Sequence, residues 1–383
     1  MKICFVSHSA ERHGAELALL EIIDVVRGAG MECLVVLPSE GILCEELAKR
    51  NVPFEILEYD WWLSPGKRVD RRLGSAIRNA KAAVRLSSLI TRHQCDVVYT
   101  NTIAIPVGAI AATLSRKPHV WHIHEFGTLD HGLKFDWGTN LSLSVVGKLS
   151  DVCITNSLSV KRHFSQWIEG QKLRLVYYSM KLSSHRQNNN APAKTAISNG
   201  GYPFRCVLVG RIVKGKGQED AILAVGDLAK IKVPVELILV GNGDLEFINY
   251  LKSEVSTLGL ADRVVFSGMV KDPTGIVSEA DAVLMCSKCE AFGRVTIEGM
   301  LAGKPVIGAR AGATPELVKE GLNGLLYNPG DHRELGRQIK FLYENPSKAC
   351  EMGQYGRSWA ESFFSENRLK NELLENLNNI TSR

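Results

Sequence analysis

No run in the 383-residue chain approaches the ~20 consecutive apolar residues that a membrane-spanning helix needs. The apolar stretch after Met1 and Lys2 is too short for a secretory signal core, so a cytoplasmic protein is expected. No Gly-x4-Gly-Lys-Ser/Thr element occurs, which excludes a Walker-type phosphate loop. No Asp-x-Asp occurs either. The cysteine pair Cys286-x-x-Cys289 has no second pair to complete a zinc site. The nine cysteines are an odd set. Cys4, Cys33, Cys95, Cys153 and Cys206 lie inside apolar runs as small buried hydrophobes, a usage that fits a reducing compartment.

The length suits two domains at roughly 150 residues each, and 45% apolar residues is too many for a disordered chain. Short apolar runs alternate with longer helical patterns. Strands are expected at 3–7, 33–37, 53–57, 96–100, 119–123, 151–155 and 173–176. Several are apolar on both faces, as parallel strands covered by helices require. A polar segment rich in Ser, Asn and Gly follows, and residues 181–203 read as a linker. The alternation restarts with strands at 206–209, 236–240, 264–266, 282–285, 305–307 and 324–326. The expected organisation is α/β: a Rossmann-like domain over 1–180, the linker, and a second such domain over 204–365. A helix over 366–383 is expected to return to the first domain. Open α/β sheets bind ligands at the carboxyl ends of their strands, so two facing domains would place a site in a cleft.

The strand at 206–209 runs into Gly210-Arg211-Ile212-Val213-Lys214-Gly215-Lys216-Gly217, after which a helix is expected near Gln218. Arg211 offers a planar fork, Lys216 a point charge and the helix start a partial positive end. Together they suit a diphosphate; the alternative is a basic surface loop. Val240-Gly241-Asn242-Gly243-Asp244 carries two glycines of a dinucleotide fingerprint but Glu246 where the third belongs. Even with Asp262 near the place of a ribose acid, a turn that needs glycine explains it better. In the first domain Gly14 opens the helix after the first strand, where the backbone could approach an anion.

Glu290-Ala291-Phe292-Gly293-Arg294-Val295-Thr296-Ile297-Glu298 follows the strand at 282–285. A helix beginning near Phe292 or Gly293 would leave Glu290 in the loop and Glu298 two turns in. The amides of Gly293, Arg294 and Val295 would then point at an anion, with carboxylates on either side for hydroxyls. A solvated helix residue is the alternative for Glu298.

This Glu-x7-Glu element with Phe-Gly, Gly-Arg-x4-Lys-Gly and Ala311-Gly312-Ala313-Thr314-Pro315-Glu316 resemble the retaining glycosyltransferases of family 4, with the GT-B fold. The resemblance covers most of the chain and is stronger in the second domain. It implies a nucleotide-sugar donor, no metal cofactor, and a glycan or lipid-linked acceptor of the kind used in bacterial surface polysaccharides. Arg211 and Lys216 would bind the diphosphate and stabilise it as leaving group. Glu298 would hold the ribose, Glu290 the donor sugar, and the backbone from Phe292 through Gly293, Arg294 and Val295 the phosphate and sugar. Gly14 would approach the phosphate from the first domain. Two departures stand out: His13 where the family often has a second glycine, and Cys286 where a proline is common.

Val120-Trp121-His122-Ile123-His124-Glu125 ends the fifth expected strand, where His122 and His124 share a face and Glu125 points away unless the strand has ended. The family places a histidine there beside the anomeric carbon. His124 matches best and His122 is the rival. Asn101 with Thr102, His122 and Glu125, and the loop 125–138, are expected on the acceptor side. The implied reaction retains configuration, and the acceptor proton can pass to the departing phosphate oxygen. A nucleotide-sugar epimerase, a sugar phosphorylase and a non-catalytic sugar-binding protein share the architecture and stay open on sequence alone.

The net charge of +5 is localised. Residues 67–92 hold Lys67, Arg68, Arg71, Arg72, Arg78, Lys81, Arg85 and Arg92 against Asp70 alone. Arg71, Arg78, Arg85 and Arg92 form one helical stripe, with Leu73, Ile77, Ala80 and Val84 expected on the core face. The stripe reads as a dock for an anionic membrane surface, aided by Trp61-Trp62, or as a solvated face. No aromatic-interleaved basic motif accompanies it, so nucleic acid is not expected as a partner.

Overall fold

The computed structural model describes residues 1–66, 68–130, 132–180 and 203–381. The expected linker therefore lies, apart from Pro203, outside the described residues, as do Lys67 and His131. The chain divides into two compact units, Met1–Ser179 with Glu366–Arg383, and Met180–Ser365.

The first unit opens with β1 (Lys2–Ser7), α1 (Gly14–Gly28), β2 (Glu32–Leu37), α2 (Ile42–Lys49) and β3 (Phe54–Ile56). It continues through β4 (Leu63–Ser64), α3 (Val69–Arg92), β5 (Val97–Asn101), α4 (Val107–Ser115) and β6 (His119–Ile123). Then come β7 (Lys134–Phe135), α5 (Thr139–Leu149), β8 (Val152–Thr155), α6 (Leu158–Phe164) and β9 (Leu173–Leu175). Seven strands form a parallel sheet ordered β3-β2-β1-β5-β6-β8-β9. β4 and β7 pair antiparallel outside it; two residues each are too few for a periodic sequence signal.

The second unit contains β10 (Phe204–Val209), α7 (Gln218–Lys230), β11 (Val235–Val240), α8 (Leu245–Thr257), β12 (Val264–Gly268) and α9 (Thr274–Glu279). β13 (Ala282–Met285), α10 (Arg294–Leu301), β14 (Val306–Ala309), α11 (Thr314–Leu317), β15 (Gly324–Tyr327), α12 (His332–Glu344) and α13 (Pro346–Phe363) follow. Its six parallel strands run β12-β11-β10-β13-β14-β15, the Rossmann order. Strand existence matches the expectation throughout, with ends displaced by one or two residues.

The last helix, α14 (Glu366–Thr381), belongs to the first unit. Its Leu369, Leu373, Leu377 and Ile380 are buried in one cluster with Ile3, Leu19, Ile23 and Val35, at the spacing one helix face requires. Arg368 Nη2 also donates to the carbonyls of Tyr177 and Tyr178 at 3.2 Å each, closing the chain against the strand side of the same unit.

The expected core face of α3 is incorrect. Leu73, Ile77, Ala80 and Val84 are exposed, and the buried residues are Ser75, Asn79, Ala82, Ala83, Leu86 and Ile90. Ala82 and Ala83 keep that face narrow where α3 packs along α4, and Leu86 and Ile90 fill the same cluster with Val107, Ala111 and Ala112. Asn79 is satisfied by Asp60, whose N–H donates to Oδ1 at 2.8 Å and whose carbonyl accepts from Nδ2 at 3.0 Å. The burial of Leu373, 1% exposed, predicts that Leu373→Ala destabilises the first unit by about 2–5 kcal/mol in denaturant titration.

Candidate functional site

Strand order fixes where each sheet can bind a ligand. In the second unit the order reverses between β10 and β13, so the loops after these strands lie side by side at the carboxyl edge. Lys216 and Glu290, 74 residues apart in the chain, stand on those two loops, and Lys216 Nζ donates to Glu290 Oε2 at 2.8 Å. The backbone ties the same loops: Lys288 N–H donates to the Gly215 carbonyl at 2.8 Å. Gly217, which caps α7, has φ +76°, and a Cβ there would stand 2.2 Å from the Cys286 carbonyl oxygen. Only glycine permits this approach. Arg211 is exposed on the β10 loop, and its carbonyl accepts from Gln218 Nε2 at 2.9 Å.

Glu290 is held from its other side by the Ala311–Glu316 element. Ala313 N–H donates to the Glu290 carbonyl at 2.7 Å, and a Cβ on Gly312 would come within 2.3 Å of that oxygen. The sequence element thus positions Glu290. α10 begins at Arg294, with Gly293 as its cap, so the first-turn amides of Arg294 and Val295 have no acceptor within the helix. Glu298 is therefore about one turn into α10, not two. Its carboxyl is half-buried, and burial raises its pKa against the opposing pull of Arg294. Phe292 offers only its backbone: the ring is 3% exposed and packs edge-on against Phe364.

Two weaker sequence elements resolve differently. The loop after β11 is a turn built against the β10 loop, with Ile212 N–H donating to the Asn242 carbonyl and Asp244 N–H to the Ile212 carbonyl, both at 3.0 Å. Asp262 precedes β12 and so sits at the amino end of its strand, away from the ligand edge.

The first unit repeats the arrangement, with its switch between β1 and β5. Asn101, at the end of β5, donates from Nδ2 to the Ala15 carbonyl at 3.1 Å. Its Oδ1 consequently faces His124 Nε2 at 2.7 Å, so that nitrogen carries the hydrogen. His124 Nδ1 pairs with the Tyr178 hydroxyl, which in turn accepts from Asn156 Nδ2 at 2.9 Å. Asn156 Nδ2 also donates to the His124 carbonyl at 2.8 Å. Both ring nitrogens of His124 are thereby engaged within the unit.

His122 and His124 lie on one face as the strand period requires, ring centroids 3.9 Å apart. His122 is buried, bonds through Nδ1 to the Tyr99 hydroxyl at 2.7 Å, and is pushed down to about 3 by burial, so it is neutral. Thr102, next to Asn101, has φ +81°, a conformation costing a β-branched residue about 1–3 kcal/mol. The start of α1 is open beside Gly14, where a Cβ would meet nothing within 4 Å. Glu16 already supplies a buried carboxylate there, accepting from His13 N–H at 3.0 Å and standing 3.1 Å from His8 Nε2.

The structure thus brings Lys216 and Glu290 together beside the α10 start, and Asn101, His122 and His124 together in the first unit. Tyr178, Asn156 and Glu16 were not found by sequence reasoning. The first two stand just beyond the carboxyl ends of β9 and β8, the one signal that could have singled them out. Among the described residues, no three of His, Cys, Asp or Glu converge to hold a metal ion. None of the described helices is long and apolar enough to cross a membrane.

β6 has ended before Glu125, whose carboxylate turns to accept from Ile103 N–H at 3.0 Å. Burial, with Asp130 nearby, pushes Glu125 up to about 8. Because the folded pKa is raised, this group's stabilising contribution is complete below the unfolded value near 4.5 and is lost as pH rises through about 8. Between pH 6 and 9, Glu125→Gln should gain on the order of 1–2 kcal/mol over the wild type in denaturant titrations.

Comparison with known proteins agrees with this geometry. The family model described as Glycosyltransferase Family 4 matches residues 12–179, and that described as Glycosyl transferases group 1 matches 197–359. EpsD of Bacillus subtilis (strain 168), which carries a glycosyltransferase name, is 32% identical over 76% of this chain and 78% of its own. Spore coat protein SA of the same organism is 33% identical over 53% of this chain; the match spans 58% of that protein. Anabaena HepE, solved in complex with UDP, superposes with a TM-score of 0.81 at 26% identity, covering 99% of this chain and 100% of that one. HepE has also been solved with UDP-glucose (TM-score 0.78, 26% identity, 99% and 100% covered). The chain belongs to the family 4 glycosyltransferases (glycosyl transferases group 1) and has the GT-B fold.

Proposed function

We propose that this protein is a retaining, metal-independent glycosyltransferase that moves a hexose from a UDP-sugar to a hydroxyl of a glycan or lipid-linked acceptor. The observation that carries the reading is the Lys216–Glu290 pair beside the start of α10, at the switch point of the second sheet. Lys216 retains ammonium hydrogens for phosphate oxygens, and Arg211 adds a fork on the same loop. Glu290 directs one oxygen to Lys216 and leaves the other for a sugar hydroxyl. The amides at the α10 start suit the phosphates, and Glu298, one turn further, suits the ribose. HepE, seen with UDP and UDP-glucose, supports uracil as the base. Polysaccharide or lipopolysaccharide synthesis is supported by relatives such as the Rhizobium meliloti lipopolysaccharide core glycosyltransferase LpsD.

In the reaction the bond between the anomeric carbon and the diphosphate oxygen breaks, and the acceptor oxygen forms its bond on the same face. The acceptor proton passes to the departing phosphate oxygen, so no separate base is needed. Arg211, Lys216 and the helix amides stabilise the charge that develops on the leaving group, which is where most of the rate enhancement arises. With both ring nitrogens engaged, His124 is assigned a positioning role, and Asn101, His122 and Glu125 shape the acceptor side.

Glu290→Gln and Arg211→Ala should each lower kcat/KM for UDP-glucose by about 10²–10³-fold with an unchanged melting temperature. Wild-type activity should persist in a chelator, and NMR of the product from an α-linked donor should show an α linkage. Full activity in either variant, loss of activity on chelation, or a β-linked product each removes the corresponding part of the proposal.

A further inference from the structure

The exposed side of α3 carries two parallel stripes. Val69, Leu73, Ile77 and Val84, at 70%, 51%, 58% and 58% exposure, recur every four or seven residues and form an apolar ridge, with exposed Ala80 on the same line. Arg71, Arg78, Lys81 and Arg85 flank that ridge one stripe over. Arg78 is neutralised by Asp60, to which its Nε donates at 2.8 Å, and Arg92 approaches Glu55 at 3.7 Å. Asp70, at the start of the helix, faces Arg68 at 3.4 Å. Arg71, Lys81 and Arg85 have no ion-pair partner among the described residues.

A solvated basic face would not expose four large apolar side chains in line, because each forfeits the free energy of burial. A core face would not be rimmed by uncompensated cations. A second copy of this chain across a two-fold axis would set Arg71, Lys81 and Arg85 against themselves. Apolar residues beside cations on a helix lying flat suit a bilayer surface, with aliphatic side chains at the acyl boundary and the cations level with anionic headgroups.

We infer that α3 is a membrane-surface helix whose Val69, Leu73, Ile77 and Val84 insert into an anionic bilayer while Arg71, Lys81 and Arg85 engage its headgroups. This is a stronger device than charge attraction alone. It predicts two separable contributions, one reduced by salt and one independent of it. The docking does not depend on the glycosyltransferase reading, since no donor or acceptor takes part. Were the acceptor lipid-linked, the same helix would hold the enzyme at the surface where that acceptor resides.

The test is flotation of the full chain with vesicles of phosphatidylcholine alone and of phosphatidylcholine mixed with phosphatidylglycerol. Binding is expected to the mixed vesicles only. The triple variant Leu73→Ser, Ile77→Ser, Val84→Ser should lose about tenfold or more in partitioning at every salt concentration. The triple variant Arg71→Gln, Lys81→Gln, Arg85→Gln should lose roughly a hundredfold at low salt and show little further salt dependence. All six positions are exposed, so both variants should melt as the wild type does. Absence of binding to mixed vesicles, binding unaffected by either triple variant, or a concentration-dependent dimer abolished by the serine variant would overturn the inference.

Discussion

The 2.8 Å contact between Lys216 and Glu290 is the interaction on which the candidate donor site depends. As a partly exposed ion pair it contributes only about 1 kcal/mol or less to stability. Its consequence is positional. Two loops from strands adjacent in the sheet but 74 residues apart in sequence are joined at their tips, and the joint fixes a cation and a carboxylate at one helix start. The surrounding backbone is built to permit it. Gly217 lets the α7 cap lie against Cys286, Lys288 reaches the Gly215 carbonyl, and Gly312 lets the 311–316 element lie against Glu290. A side chain at either glycine would push the loops apart before any ligand entered.

The first unit solves a different problem with the same topology. At its switch point the polar groups are spent on each other: Ala15, Asn101, His124, Tyr178 and Asn156 form one hydrogen-bonded chain across four strand ends and the start of α1. Neutral, buried His122 backs it. Such a chain orients rather than ionises, and cooperative polarisation along it makes every member sensitive to loss of another. The second unit's switch point presents the cations Arg211 and Lys216, whereas the Asn101–His124–Tyr178–Asn156 chain of the first is built from neutral hydrogen-bonding groups.

Sequence periodicity disclosed the strands because parallel strands buried on both faces are apolar throughout, as in Ile3–Val6 and Ala282–Met285. The elements of the candidate site in the second unit were legible as short motifs with glycines at fixed places. What pairs with what was not, since the Lys216–Glu290 contact depends on which strands are neighbours, and no spacing encodes that. The partners of His124 come from 23 to 54 residues away and left no local trace. α3 misled for a physical reason. Its buried face carries only Ser75, Asn79, Ala82 and Ala83 before Leu86 and Ile90, while Val69, Leu73, Ile77 and Val84 face outward, inverting the usual pattern over most of the helix. That inversion is what a membrane-facing helix would require.

If the proposed function is right, the second unit holds a nucleoside diphosphate at the Lys216–Glu290 joint. Calorimetric titration of UDP into the full chain, in chelator, tests it most directly. The wild type should bind, and Lys216→Ala should lose about tenfold or more in affinity with its melting temperature unchanged. UDP binding of equal strength in Lys216→Ala would contradict it.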